Sequence, residues 1–91
     1  MPNLPEPKSV RVTEWSSDPW TRGSYSYIAV GSSPSDIRAL ARPVGDGRVR
    51  FAGEATHSRF YGTMHGAYES GIREADLIRE SYDHREAVDR F

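Results

Sequence analysis

Val49 to Gly71 reads VRFAGEATHSRFYGTMHGAYESG, and the fold expected of the whole chain turns on this stretch. Val49, Phe51 and Ala52 make a short apolar run that stops at Gly53, the pattern of a buried strand ended by a residue without a Cβ. An aromatic and glycine loop follows. From Thr63 onward Met64, Ala67, Tyr68, Ile72, Ala75 and Ile78 recur at helical spacing, which predicts a long helix reaching Ser81 or beyond. A strand ending in glycine lets backbone come close to a ligand, and the unpaired amides at a helix start present roughly half a positive charge. Together they suit an anion, although many strand-to-helix units share this spacing and bind nothing. Mid-helix Gly66 and Gly71 each cost about 1 kcal/mol relative to alanine, so a packing or binding benefit should offset them. Ala67, Gly71 and Ala75 stack four apart, a strip without bulk that another backbone or a ligand can approach.

Upstream, Pro2, Pro5 and Pro7 make residues 1–7 an extended lead-in. Val10 and Val12 alternate with Arg11 and Thr13 ahead of Trp15, predicting a short strand, and Ser16 to Pro19 reads as a turn. Ser24 to Val30, bracketed by Gly23 and Gly31, predicts a second strand with Tyr25 and Tyr27 on one face. Ser33, Pro34 and Asp36 supply an N-cap, a first-turn proline and an acid, so a short helix should start there and stop before Pro43. Gly45, Asp46 and Gly47 mark a turn into the Val49 strand. The pairs Glu69 with Arg73 and Glu86 with Arg90 stand i,i+4 in the favourable order, worth about 0.3 kcal/mol each on a solvated face. The fold class expected is therefore α/β in the α+β sense, with short strands and a long C-terminal helix.

The 91 residues allow one small domain, and with 36% hydrophobic residues, eight glycines and six prolines the chain resembles a loop-rich piece of α/β structure. Zero cysteines exclude disulfides, thiolate metal sites and thiol catalysis. Twelve basic against thirteen acidic residues give a net charge of −1, which offers no general attraction to nucleic acid or anionic membranes. With neither a signal-like start nor a membrane-length apolar run, the expected location is cytoplasmic. His57, His65 and His84 lack metal-ligand spacing, Ser58 lacks a nucleophile elbow, and the arginines alternate with acids, so no metal, hydrolase or RNA site is expected.

WSSDPWTRGSYSYIAVGSS at Trp15 to Ser33, LARPV at Leu40 to Val44, FAGEAT at Phe51 to Thr56 and GTMHGAYESGIREA at Gly62 to Ala75 run in the order found in flavin-containing amine oxidases. The chain resembles their carboxyl-terminal segment, nearest to the lysine-specific histone demethylase and polyamine oxidase branch. The resemblance implies a partial FAD-binding domain over residues 8–91. It implies that Gly53 and Glu54 lie beside the FAD pyrophosphate, Glu54 through its backbone N–H because a carboxylate would repel phosphate. It also implies that Thr63 and the Met64 amide face the flavin pyrimidine edge, that Trp20 lines the flavin side, and that Tyr25 walls the substrate amine. Tyr25 and Thr63 are thus the candidate catalytic positions, and Trp20, Gly53, Glu54, Thr63 and Met64 the candidate cofactor contacts. Two departures matter. Thr63 stands where the monoamine branch has a second tyrosine, and Ser24 where that branch has a flavin-linking cysteine, so any flavin should be held without a covalent bond.

The family's GxGxxG fold, substrate domain and upstream lysine have no counterpart in these residues. The leading expectation is a small subunit or C-terminal piece of an FAD-dependent amine oxidase. It would share a non-covalent FAD with a larger chain that carries the nucleotide fold, and would associate with itself when alone. The competing expectation is a truncated, non-catalytic family member serving as an interaction module.

Overall fold

The computed structural model describes residues 3–89, with side chains through residue 84. Met1, Pro2 and the expected Glu86–Arg90 pair lie outside the described residues. Helix α1 spans Pro34–Leu40 and helix α2 spans Met64–Asp89, with one 3₁₀ turn, Glu54–Thr56, between them.

Helix α1 begins where local chemistry dictates. Ser33 has extended backbone and Pro34 takes the first helical position, where its missing N–H is no loss. The Asp36 carboxylate accepts from the Ser33 amide at 2.9 Å and the Ser32 hydroxyl at 3.0 Å. The Ser33 amide first, then the Ser32 hydroxyl, hold the Asp36 carboxyl below its ordinary value.

The expected strands do not form. Residues 10–14 and 26–29 run without a ladder, and the only pairing among the described residues is an isolated antiparallel bridge from Val44 to Val49. Its two bonds, Val44 N–H to the Val49 carbonyl at 2.9 Å and the reverse at 3.1 Å, close the Gly45–Arg48 turn. A strand exists only through a neighbour in register, and these segments find none within the described residues. Among the described residues the architecture is therefore two helices, a 3₁₀ turn and connecting chain, and the short strands of the expected α/β arrangement are not seen. The turn read as Ser16 to Pro19 is also longer. Asp18 N–H donates to the Glu14 carbonyl, Arg22 N–H to Asp18, and Gly23 N–H with the Thr21 hydroxyl to Trp15, closing residues 14–23 into one compact loop.

Burial is inverted relative to an ordinary domain. No hydrophobic side chain among the described residues is buried, whereas Ser70 is 1%, Thr56 6% and Glu74 6% exposed. The radius of gyration is 19.9 Å and the extents are 77 × 34 × 23 Å, against about 12 Å expected for the radius of a compact chain this long. Helix α2 explains part of this, since 26 residues at 1.5 Å each project about 39 Å. The apolar positions that predicted α2, including Met64, Tyr68, Ile72 and Ile78, are exposed. Its covered face carries Gly66, Ser70 and Glu74 instead.

Candidate functional site

The site is built around Gly53, where the chain enters the 3₁₀ turn at φ +145°, a backbone state that excludes ordinary side chains. The space a Cβ would occupy there is empty for 4 Å. The Gly53 amide donates to Ser70 Oγ on α2 at 2.8 Å. The Glu54 and Ala55 amides find no acceptor among the described residues.

The Glu54 carboxylate turns into its own chain. Oε1 accepts from the Ser26 amide at 3.1 Å and the Ser26 hydroxyl at 2.8 Å, and Oε2 accepts from the Gly62 amide at 2.6 Å. One acid thereby ties three separate segments, the one carrying Tyr25, the 3₁₀ turn, and the entry to α2. Gly62 permits this closeness: a Cβ there would approach the Ser26 carbonyl to 2.9 Å. Tyr25, Ser26 and Glu54 share an open cleft of about 400 Å³ with Trp15, Thr21 and Arg22.

Thr63 caps α2. Its hydroxyl donates to the Phe60 carbonyl at 2.5 Å and accepts from the Gly66 amide at 3.0 Å, so both roles of that hydroxyl are taken by the turn. A side chain at Gly66 would fall on the Phe60 carbonyl, which is the packing reason for a mid-helix glycine there, while Gly71 faces open space. His57 fixes the same turn: Nδ1 accepts from the Phe60 amide at 2.9 Å and the Arg59 amide at 3.2 Å. The ring proton therefore sits on Nε2, which donates to Glu69 at 2.6 Å.

Glu69 thus pairs with His57 and not with Arg73 as the spacing suggested. Arg73 instead donates to the Phe51 and Thr56 carbonyls and the Thr56 hydroxyl at 3.1 to 3.2 Å. Its Nε donates to Glu74 at 3.0 Å, and Glu74 also faces Arg50 at 3.5 Å. Partly dry carbonyls and a buried carboxylate attract the guanidinium more strongly than a solvated acid does.

The structure brings Tyr25, Gly53, Glu54 and Thr63 together through the Glu54 contacts. Met64 follows at the head of α2, 90% exposed, and Tyr25 is 70% exposed. Trp20 stands in the preceding loop, 92% exposed, and it is Trp15 that lines the cleft beside Tyr25. Ser26 and Ser70 escaped the reading of the sequence, and Arg73 entered it only as a partner of Glu69; a serine or arginine carries no local signal of a distant backbone partner. Among the described residues no group of three His, Asp or Glu side chains gathers as a metal site, and no helix is long and apolar enough to cross a membrane.

An inward carboxylate, an open glycine face and two amides without acceptors among the described residues thus meet at the 3₁₀ turn, beside the exposed Tyr25. Residues 1–79 match the model of the flavin containing amine oxidoreductase family, and the chain belongs to that family. It lies near the demethylase and polyamine oxidase branch. It is 57% identical over 83 residues to the peroxisomal N(1)-acetyl-spermine/spermidine oxidase of Homo sapiens, covering 85% of this chain and 16% of that protein. It is 51% identical over 89 residues to a possible lysine-specific histone demethylase 1 of Drosophila melanogaster, covering 88% of this chain and 10% of that protein. With lysine-specific histone demethylase 1 homolog 1 of Arabidopsis thaliana it shares 54% identity over 75 residues, 82% of this chain and 9% of that protein. The chain thus spans 9 to 16% of the length of these curated relatives. The family implies a flavin cofactor.

Proposed function

We propose that this chain forms one wall of the FAD site of an amine oxidase and needs a larger chain with a GxGxxG nucleotide fold to complete it. When bound, flavin supplies a two-electron acceptor for oxidation of an amine C–N bond to an imine, with hydrogen peroxide formed on reoxidation by oxygen. The residues fit such a group. The unpaired Glu54 and Ala55 amides suit a pyrophosphate, and the open face of Gly53 admits it. The Glu54 carboxylate, held by Ser26 and Gly62, does not oppose the phosphate charge.

Thr63 and Met64 place the positive end of α2 toward the flavin edge, where it favours a reduced, anionic ring. Thr63 acts here by shaping the turn, because its hydroxyl is already engaged. Trp20 offers a flavin-side surface, and Tyr25 a flat face for an amine or its cation. With no cysteine in the chain, these residues hold the cofactor without a thioether bond.

The observation that carries the proposal is the inward-turned Glu54 carboxylate beside two acceptor-free amides, inside the segment that matches the family. The test is to mix the purified chain with flavoprotein chains that carry the nucleotide fold. The expected result is visible flavin absorbance in a stable complex and amine-dependent peroxide. Uptake of no flavin in any pairing, with complexes that still form, overturns the reading in favour of a non-catalytic interaction module.

A further inference from the structure

We infer that Ser70 and Arg73 are positioning residues for the cofactor turn, fixing its backbone from the covered face of α2. The inference rests on the flavin reading above and adds the residues that give the turn its shape. Ser70 is the most deeply buried side chain described, 1% exposed. Its hydroxyl donates to the Ala67 carbonyl at 2.7 Å, which leaves its oxygen aimed to accept the Gly53 amide at 2.8 Å. The Gly53 N–H is thereby consumed inside the protein, and the amides left for a ligand are those of Glu54 and Ala55. Arg73 binds both ends of the same turn, the Phe51 carbonyl at 3.1 Å and the Thr56 carbonyl at 3.2 Å. Its own orientation is set by Glu74, 6% exposed, through Nε at 3.0 Å.

Between these anchors sits Gly53, the residue type with the most conformational freedom to lose. Without the serine and the guanidinium, the peptide flanking Gly53 is free to rotate, and ordering it becomes a cost of binding. Arg73 lies nine positions beyond Met64, about 180° round the helix at ~100° per residue. Arg73 therefore need not touch the cofactor, and Ser70, 1% exposed with its hydroxyl bonded to Ala67 and Gly53, is covered by the turn; both act through it.

The test uses the full chain assembled with its larger flavoprotein chain, FAD as the probe, and the variants Ser70→Ala, Ser70→Thr and Arg73→Lys. Gly53 amide exchange is followed in the full chain by NMR, FAD affinity by fluorescence in the assembly, and helix content by circular dichroism. Ser70→Ala should speed Gly53 exchange about tenfold and weaken FAD binding about five- to tenfold, at unchanged helix content. Ser70→Thr should restore both, and Arg73→Lys, which keeps the charge but loses the fork, should weaken FAD binding to a similar extent. Unchanged FAD affinity in Ser70→Ala despite faster Gly53 exchange, or equal losses in the alanine and threonine variants, overturns the inference while the flavin reading stands. If the parent chain takes up no FAD in any pairing, the flavin reading falls and this inference falls with it.

Discussion

Replacing Glu54 by glutamine puts an NH2 group where two backbone amides and a hydroxyl converge as donors. The Ser26 hydroxyl can turn to accept, but at least one backbone amide then loses its partner at a cost of about 1 to 3 kcal/mol. The expected outcome is loosened packing of the Tyr25 segment on the head of α2, read as faster Gly62 amide exchange and weaker flavin retention; wild-type values for both would discredit the Glu54 tie. The two helical glycines separate by the same reasoning. Gly66→Ala forces a methyl onto the Phe60 carbonyl and should destabilise by about 1 to 3 kcal/mol, although alanine is the better helix former. Gly71→Ala meets open space and should gain up to about 1 kcal/mol of helix stability in the lone chain, measured by thermal melts followed at 222 nm (an approximate helix band). If the strip of Ala67, Gly71 and Ala75 receives another backbone, the same Gly71 change should weaken that association. The structural places of Gly53 and Thr63 were legible because a glycine after an apolar run and a polar residue before a helix are local marks, whereas Glu54 was singled out through the family resemblance. Ser26 and Ser70 were not, for their partners lie 28 and 17 residues away.

Helix α1 was readable for the same reason that it should respond to acid: its start is written in four consecutive residues. Asp36 has a lowered pKa in the folded chain, so its contribution is fully present above the ordinary carboxylate value of about 3.9. It is lost as pH falls through the lower folded value. An NMR titration should show the Ser33 amide responding across that acidic window, and Asp36→Asn should abolish the response; a flat Ser33 signal in the parent chain would contradict the cap. Helix α2 was legible from its periodicity, but which face it uses internally was not. The apolar stripe marks surface that prefers to leave water, whereas the chain's own loops cover the stripe of Gly66, Ser70 and Glu74. The strands failed as a reading because alternation records a tendency to be half-buried, while pairing depends on a neighbour that local sequence does not specify. Val10, Val12, Tyr27 and Val30 keep the pattern and remain exposed.

At the scale of the molecule, that exposed surface should act as a driving force for association. In sedimentation velocity the isolated chain is expected to self-associate as concentration rises, and, on the proposed function, addition of a flavoprotein chain carrying the nucleotide fold should replace these species with one complex. Changing Val10, Val12 and Val30 to serine should suppress self-association while leaving α2 helical; a strictly monomeric parent chain with fully protected amides would argue against a missing cover. The polar interior has a further thermodynamic consequence. Heat capacity rises on unfolding mainly because apolar groups meet water, and polar exposure lowers it. Melting this chain alone should therefore show an increment well below the usual ~12 to 15 cal/mol/K per residue, and its denaturant slope should be correspondingly shallow. The large negative heat-capacity change ordinarily recorded when a domain folds should appear instead in the calorimeter at the moment two chains dock.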